Sequence, residues 1–534
     1  MNRSPARLRL RGIEPRAWRR SFGEDRRPSS APKPMLDMKH IRQNAHLYEQ
    51  TCVDRKYDRL AGHASRIVAL HGQWLDLQRE GRSMRERSKY LRKMLARQAA
   101  SDDGTNSSSS SSSSSIRDED QQQQQQPPSA ESQTSTTTRE QALDEARRLK
   151  ADLARIEKGE AAAVAEMEML ALELPNLTSD DAPRGNEPTL LRYINSPPAG
   201  FDEPCSSSTT TTCSSSSSSF PSPHPTDEKP PRTHVEIGTE LGILDLAAGA
   251  TSSGWGWYYL IGAGAQLEQA LIQYALGLAS QRRFTPVSPP SLVYSHVGAA
   301  CGFRPRDHHG EQQVYSVDGT PDRCLAGTSE IALAAMAAQA TLPFDVLPLR
   351  RVAVSRCYRA EAGARGADTK GLFRVHEFTK VELFAWSAPE TETARRLLDE
   401  MVALQVDILA SLGLYSVVVV VVVVIIIIIV DDDDDDDDND QAANDGWGEL
   451  TSASLCTDYQ TRRLATRVRL PSESNRLAFP YTINATALAV PRVLAALLEY
   501  GWDEASRTVV VPRCLRPWMH GMRRIGGPGG RPLG

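Results

Sequence analysis

The sequence predicts an α+β body built around a charged β-hairpin, preceded by an antiparallel coiled-coil arm. Three observations predict it: two stretches that alternate with a period of two, two long helical repeats on either side of a polar insert, and a mixed strand-and-helix texture from about residue 234 onward. In FRVHEFTKVELF (373–384), Arg374, His376, Phe378, Lys380 and Glu382 fall on one face, and Phe373, Val375, Thr379, Val381 and Leu383 fall mostly on the other. In VSRCYRAE (354–361), Cys357, Arg359 and Glu361 oppose Val354, Arg356 and Tyr358. Joined by AGARGADTKGL, the two stretches make a hairpin with one apolar and one ionic face. A solvated face has charges too, but an aromatic and a His threaded among Arg, Lys and Glu suit the floor of a ligand site.

The arm rests on heptads. Ile67, Leu70, Trp74, Leu77, Gly81, Met84, Ser88, Leu91 and Leu95 keep 3,4 spacing, as do Ala146, Leu149, Leu153, Ile156, Glu160, Ala163, Met167, Leu170 and Leu174. The first helix is strongly basic between residues 79 and 97, a charge distribution suited to a phosphate backbone. Further along, 264–280 reads as an amphipathic helix and 328–339 as a helix with a Thr/Ser N-cap. A helix is expected near 390–412, and 482–501 reads as a polar strand turning into an Ala/Leu-rich helix.

Composition narrows the function classes. The 534 residues carry a net charge of −5, which excludes a protein basic throughout. Eight Cys are scattered without a CxxC pair, against a structural zinc site or disulfide framework and in keeping with a reducing or matrix-like compartment. Residues 1–34 are Arg-rich, acid-poor and without an apolar h-region, the composition of a mitochondrial transit segment. The apolar run 408–430 is long enough for a membrane window. However, it is a Val block and an Ile block followed by eight Asp, and β-branched residues are poor helix formers, so no membrane span is expected. The Ser/Gln insert 101–140 and the Ser/Thr/Pro insert near 197–232 are too polar to bury a core and are expected to be disordered.

Taken in order, RRFTPVSPPSLV, TSE, RCYRAEAG with FRVHEF, CTDYQTRR, and TINATALAVPRVLAALLE give the chain a resemblance to the class II aminoacyl-tRNA synthetases. Within them it is similar to the seryl-tRNA synthetases of the mitochondrial, fungal-like type. The resemblance covers nearly everything outside the tails and inserts. It implies the class II antiparallel sheet flanked by helices, with an N-terminal coiled-coil arm that holds tRNA. The implied organisation is a transit segment at 1–34, the arm at 35–180, a linker at 181–233, the catalytic domain at 234–520 with the Val/Ile/Asp insert 417–445, and a tail at 521–534. A homodimer is implied by the resemblance of RRFTPVSPPSLV to the family's dimer-forming motif.

The implied activity is ATP-dependent activation of serine and its transfer to the 3′ end of tRNA(Ser) in the mitochondrial matrix. A catalytically inactive, tRNA-binding relative is the alternative. The resemblance places ATP on Arg359, Ala360, Glu361, Arg374, Val375, His376, Glu377, Phe378, Glu449, Leu450, Thr451, Ser452 and Arg492, with Glu449 helping to bind Mg²⁺. It places serine on Thr328, Ser329, Glu330, Arg359, Glu382 and Thr486. Arg359 and Arg492 are the implied catalytic residues, because a planar, permanently charged fork bridges carboxylate and phosphate. Each residue has a plainer reading: Thr328 as a helix cap, Glu382 as the partner of Lys380 or Arg374, Thr486 as an ordinary strand residue.

The chain departs from the family at Ala485, Ala487 and Pro491, where Gly is usual, and between Leu414 and Glu449, where a catalytic-sheet strand is expected. Part of the Val/Ile run serves as that strand, or a repeat has replaced it.

Overall fold

The computed structural model describes residues 31–104, 139–180, 182–183, 189–195, 232–303, 312–320, 322–361, 371–420, 448–471 and 476–527. The expectations for 1–30, for most of the three inserts and for 528–534 lie outside these residues. The chain divides into a helical unit, Leu36–Pro175, and a second unit formed by the remainder.

In the helical unit, α1 (His63–Gly104) and α2 (Arg139–Glu173) pack antiparallel. Arg66 meets Glu166 at 2.8 Å, Arg85 meets Glu160 at 2.8 Å and Arg155 meets Glu80 at 3.1 Å, so rising numbers on one helix face falling numbers on the other. Every heptad position named above is buried or half-buried. Ile67, Leu91 and Ile156 are essentially inaccessible, and each such side chain contributes roughly 1.5–3 kcal/mol. At the base, Ile41, Cys52, Leu60, Met167 and Leu174 close a small core.

The second unit is organised on a five-stranded sheet. In chain order its described elements include β1 (Thr189–Ile194), α3 (Ala263–Gln281), β2 (Thr285–Val287), α4 (Ser329–Ala335) and β3 (Leu349–Tyr358). There follow β4 (Glu377–Ser387), α5 (Thr391–Leu412), β5 (Ser416–Val420), β6 (Ala453–Thr457), β7 (Tyr481–Ala489) and α6 (Val490–Gly501). The strand order is β6-β7-β4-β3-β2, antiparallel except for the parallel β2–β3 pair. Strand β4 is central and buried on both faces. Val381, Leu383 and Ala385 join the core formed with α3, α5 and α6, whereas Phe384 and Trp386 join a second cluster with α4.

The described start of the Val run, residues 417–420, is strand, as its β-branched composition directs. β5 pairs antiparallel with β1, with Val417, Val418 and Val419 at most 3% exposed. This is a separate two-stranded sheet, and the edge of the five-stranded sheet comes instead from β6. Among the described residues no helix is long and apolar enough to cross a membrane.

The period-two reading of 373–384 holds only from Glu377. Residues 371–376 turn, and Phe373 and Val375, assigned by alternation to the apolar face, line a cleft. Two backbone bonds hold that turn: the His376 N–H donates to the Gly256 carbonyl at 3.0 Å, and the His376 carbonyl accepts from the Arg359 N–H at 3.0 Å. The helix expected at 328–339 is likewise shorter, Ser329–Ala335.

Candidate active site

The cleft, open to solvent, lies over the sheet and is bordered by the loop before β6 and the start of α6. Arg359, Glu361, Val375, Phe378, Glu449, Leu450, Thr451, Ser452 and Arg492 line it, joined by Phe373, Lys380, Thr486, Ala489 and Pro491. Of the other sequence-derived candidates, Ala360, Arg374, His376, Glu377, Thr328, Ser329, Glu330 and Glu382 are not among its lining residues.

Register explains the floor. Thr486 lies opposite Glu382 on one side, and Ala353 lies opposite it on the other. Ser355 is opposite Lys380 and Cys357 opposite Phe378, so small side chains on β3 leave room beside the long ones of β4. A register shift between Thr486 and Leu488 leaves Ala487 as a bulge at the site, a device that re-aims a neighbouring side chain.

At one end the cleft is cationic. The Arg359 guanidinium stacks over Phe378, 5.2 Å from the ring centroid. Arg374 pairs with Glu361 at 3.6 Å, and Glu361 sits at φ +46°, a left-handed conformation seldom taken by non-glycine residues. Arg492 donates to the Phe373 carbonyl at 3.1 Å and the Glu449 carbonyl at 2.6 Å, and lies 3.7 Å from the Glu449 carboxylate. Burial holds the Arg492 guanidinium below its ordinary value; Arg359 and Arg374 add to this, while Glu449 and Glu361 oppose it. Such a group of guanidiniums is relieved by an anion. Arg492 also opens α6, whose first turn has no side-chain cap, so the positive end of the helix faces the same place.

At the other end the polar groups are buried. Lys380 pairs with Glu382 at 2.5 Å and reaches the Thr486 hydroxyl at 3.5 Å. The Thr486 hydroxyl donates to Glu382 Oε2 at 3.4 Å, while Glu382 Oε1 is buried without a hydrogen-bond partner among the described residues. Glu330 accepts from Gln460 at 2.5 Å and from Asn484 at 3.0 Å. Burial, then the charge of Glu382, push the Glu330 carboxyl up to about 7, against the pull of Lys380, Gln460 and Arg359. Those influences place Glu330 close to the floor although it does not line the cleft. The Thr328 hydroxyl accepts from the Glu330 N–H at 3.3 Å and caps α4, and the neighbouring Ser329 hydroxyl is buried without a partner among the described residues.

His376 stands outside the cleft lining. It hydrogen-bonds Tyr315 at 3.1 Å and packs against Trp255 and Trp257; at Gly256, where φ is +77°, an added Cβ would come 2.6 Å from the His376 ring. The six described cysteines are free thiols, and burial pushes Cys301, Cys324, Cys357 and Cys514 up, away from thiolate chemistry.

Sequence reasoning missed Gln405. This inaccessible α5 residue donates its amide to the Thr451 hydroxyl at 2.7 Å and to the Ser452 and Thr486 carbonyls at 2.8 Å each. It ties the segment before β6 to β7. The available signal was a polar residue on the apolar stripe that includes Leu397, Met401, Leu404 and Ile408. Gln460 and Asn484 gave no signal, because only the tertiary fold brings them to Glu330.

A family model described as the tRNA synthetase class II core domain (G, H, P, S and T) matches residues 315–500, the part of the chain that forms most of the cleft. The chain is 41% identical over 304 residues to the mitochondrial serine–tRNA ligase of Saccharomyces cerevisiae, covering 57% of this chain and 67% of that protein. It is 35% identical over 358 residues to the serine–tRNA ligase of Rhodopirellula baltica, covering 66% and 77%. The fold resembles that of seryl-tRNA synthetase from Pyrococcus horikoshii complexed with ATP, with a TM-score of 0.69 at 24% identity over 92% of this chain and 100% of that one. The class is thus that of the class II synthetase core, and within it the chain belongs to the seryl-tRNA synthetase family.

Proposed function

We propose that the chain is a serine–tRNA ligase of the mitochondrial matrix, activating serine with ATP and passing it to the 3′ end of tRNA(Ser). The observation that carries this is the union of a triple-guanidinium cluster and a buried Glu330–Lys380–Glu382–Thr486 group in and beside one cleft. In the first step a serine carboxylate oxygen bonds to the α-phosphorus and the bond to diphosphate breaks, giving seryl-adenylate. No general base is needed, since the carboxylate is already the nucleophile, and catalysis is positioning and charge stabilisation. Arg359 bridges carboxylate and α-phosphate, Arg492 meets the terminal phosphate, and Phe378 offers a flat surface to the adenine. In the second step a 3′-terminal hydroxyl of the tRNA attacks the acyl carbon and AMP leaves.

Serine selectivity comes from buried polar groups left unpaired when alanine binds. The partnerless Glu382 Oε1 accepts from the substrate, with Thr486 beside it, and Glu330 takes the ammonium. The residues present suit Mg²⁺ held chiefly by substrate. The described residues contain no group of three or more His, Cys, Asp or Glu able to hold a metal. Glu449 supplies a single carboxylate at the cleft, and Mg²⁺ is usually bound by one or two carboxylates plus phosphate oxygens. When bound, the ion neutralises phosphate charge.

The arm is the tRNA partner's surface. Arg82, Lys89, Arg92, Lys93 and Arg97 are exposed on α1 and none forms an ion pair among the described residues. The chain works as a homodimer, with the segment 282–293 at the interface. Charging of tRNA(Ser) with labelled serine, and not threonine or alanine, is the expected result; binding of tRNA(Ser) without charging would leave only the non-catalytic role.

A further inference from the structure

The cleft is fastened by a pair of residues on its far side. His234, 1% exposed, opens the short helix His234–Glu240. Glu499 lies on α6, the helix that Arg492 begins. One Glu499 oxygen accepts both the His234 backbone N–H at 2.9 Å and Nδ1–H at 2.6 Å. The opposite ring nitrogen, Nε2, accepts the Leu372 backbone N–H at 2.9 Å. That bond requires Nε2 to be unprotonated, so the proton sits on Nδ1 and the ring is neutral.

Three consecutive residues of the turn before β4 are held at this point. Gly371, at φ +68°, lies so close that an added Cβ would fall 2.0 Å from His234 Nε2. Leu372 is inaccessible and donates to the ring. Phe373 packs edge-on to the imidazole at 5.1 Å, and its carbonyl accepts from Arg492. The imidazole therefore touches the segment that fixes the guanidinium, while its carboxylate partner rides on the helix bearing that guanidinium.

We propose that His234 and Glu499 form a positioning latch that sets Phe373 and Arg492 in place for the phosphates of ATP. The latch acts through Arg492 and touches no substrate, and it rests on the reading of the cleft as an ATP site. Its removal loosens ATP while sparing serine, whose groups sit on β4, β7 and α4. Two substitutions separate the latch from mere packing. His234→Gln places an amide oxygen within reach of the Leu372 N–H; His234→Asn can still donate to Glu499 but is too short to reach Leu372. Gly371→Ala drives a Cβ against the same ring from the loop, so it disturbs the contact while His234 and Glu499 keep their own side chains.

The experiment measures ATP affinity by calorimetry and serine-dependent ATP–pyrophosphate exchange on the full chain. His234→Asn and Gly371→Ala are expected to weaken ATP about tenfold, the scale of one lost buried hydrogen bond, with a parallel fall in kcat. The serine KM stays within about twofold of the parent's and His234→Gln recovers most of the loss. Unchanged ATP affinity in both variants overturns the latch, as does equal damage to ATP binding, serine KM and melting temperature in all three. If His234→Asn does not fold, Gly371→Ala decides. A parent chain that binds ATP without serine-dependent exchange defeats the functional reading, and the latch is then judged on ATP affinity alone.

Discussion

Glu330 shows how a single residue's environment becomes a pH dependence. Its carboxyl is raised to about 7 by burial and by Glu382. Because the folded-state value lies above the ordinary one, the native state holds the extra proton. The associated stabilisation is full below the ordinary carboxylate range and is lost as pH rises through about 7. Holding an ammonium requires the opposite, ionised form. The serine KM should therefore fall as pH is raised from about 6 to 8, and Glu330→Gln should raise KM and flatten that dependence; an acid limb that survives in the variant would contradict the assignment. If Thr486 meets the serine hydroxyl as proposed, Thr486→Val should impair serine activation by roughly 1–3 kcal/mol and affect alanine far less, because alanine has no hydroxyl to lose a partner. Comparative pyrophosphate exchange with the two amino acids reads this directly.

At the scale of elements, the central strand and its hairpin partner were legible because alternation survives burial. Even-numbered β4 residues do share the face with Lys380 and Glu382. Legibility ended at residue 376, where backbone bonds to Gly256 and Arg359 turn the chain and send Phe373 and Val375 into the cleft. Period-two reasoning sees side chains and not the partners of the backbone. Gln405 was hidden for a related reason, since its three acceptors come from residues 451, 452 and 486. Gln405→Met keeps the volume and removes the donor. It should cost roughly 1–3 kcal/mol in thermal stability and reduce kcat. A variant with full activity and parental melting would show that the tie is dispensable.

On the whole-molecule scale the helical hairpin was the most legible feature, because all nine heptad positions on each helix are buried or half-buried, as the spacing required. Ile156→Ala should lower the stability of that unit by roughly 2–5 kcal/mol through the cavity it leaves, as followed by chemical denaturation. The basic face of α1 should make tRNA affinity fall steeply with salt. Replacing Arg92 and Lys93 by Gln should reduce the slope of log affinity against log salt by up to about two, since each lost cation forgoes one phosphate contact. An unchanged slope would remove α1 from the tRNA surface. The site itself was less legible than the hairpin, because its parts lie between residues 234 and 499 and only folding assembles them.

The cationic cleft is proposed to join serine to the α-phosphate of ATP. The most direct measurement is ATP–pyrophosphate exchange with serine, threonine, alanine or no amino acid, on the parent chain and on Arg359→Ala. Exchange with serine alone is expected, with a loss of at least about a hundredfold without the Arg359 fork. Exchange that ignores the amino acid, or that persists in Arg359→Ala, would contradict it.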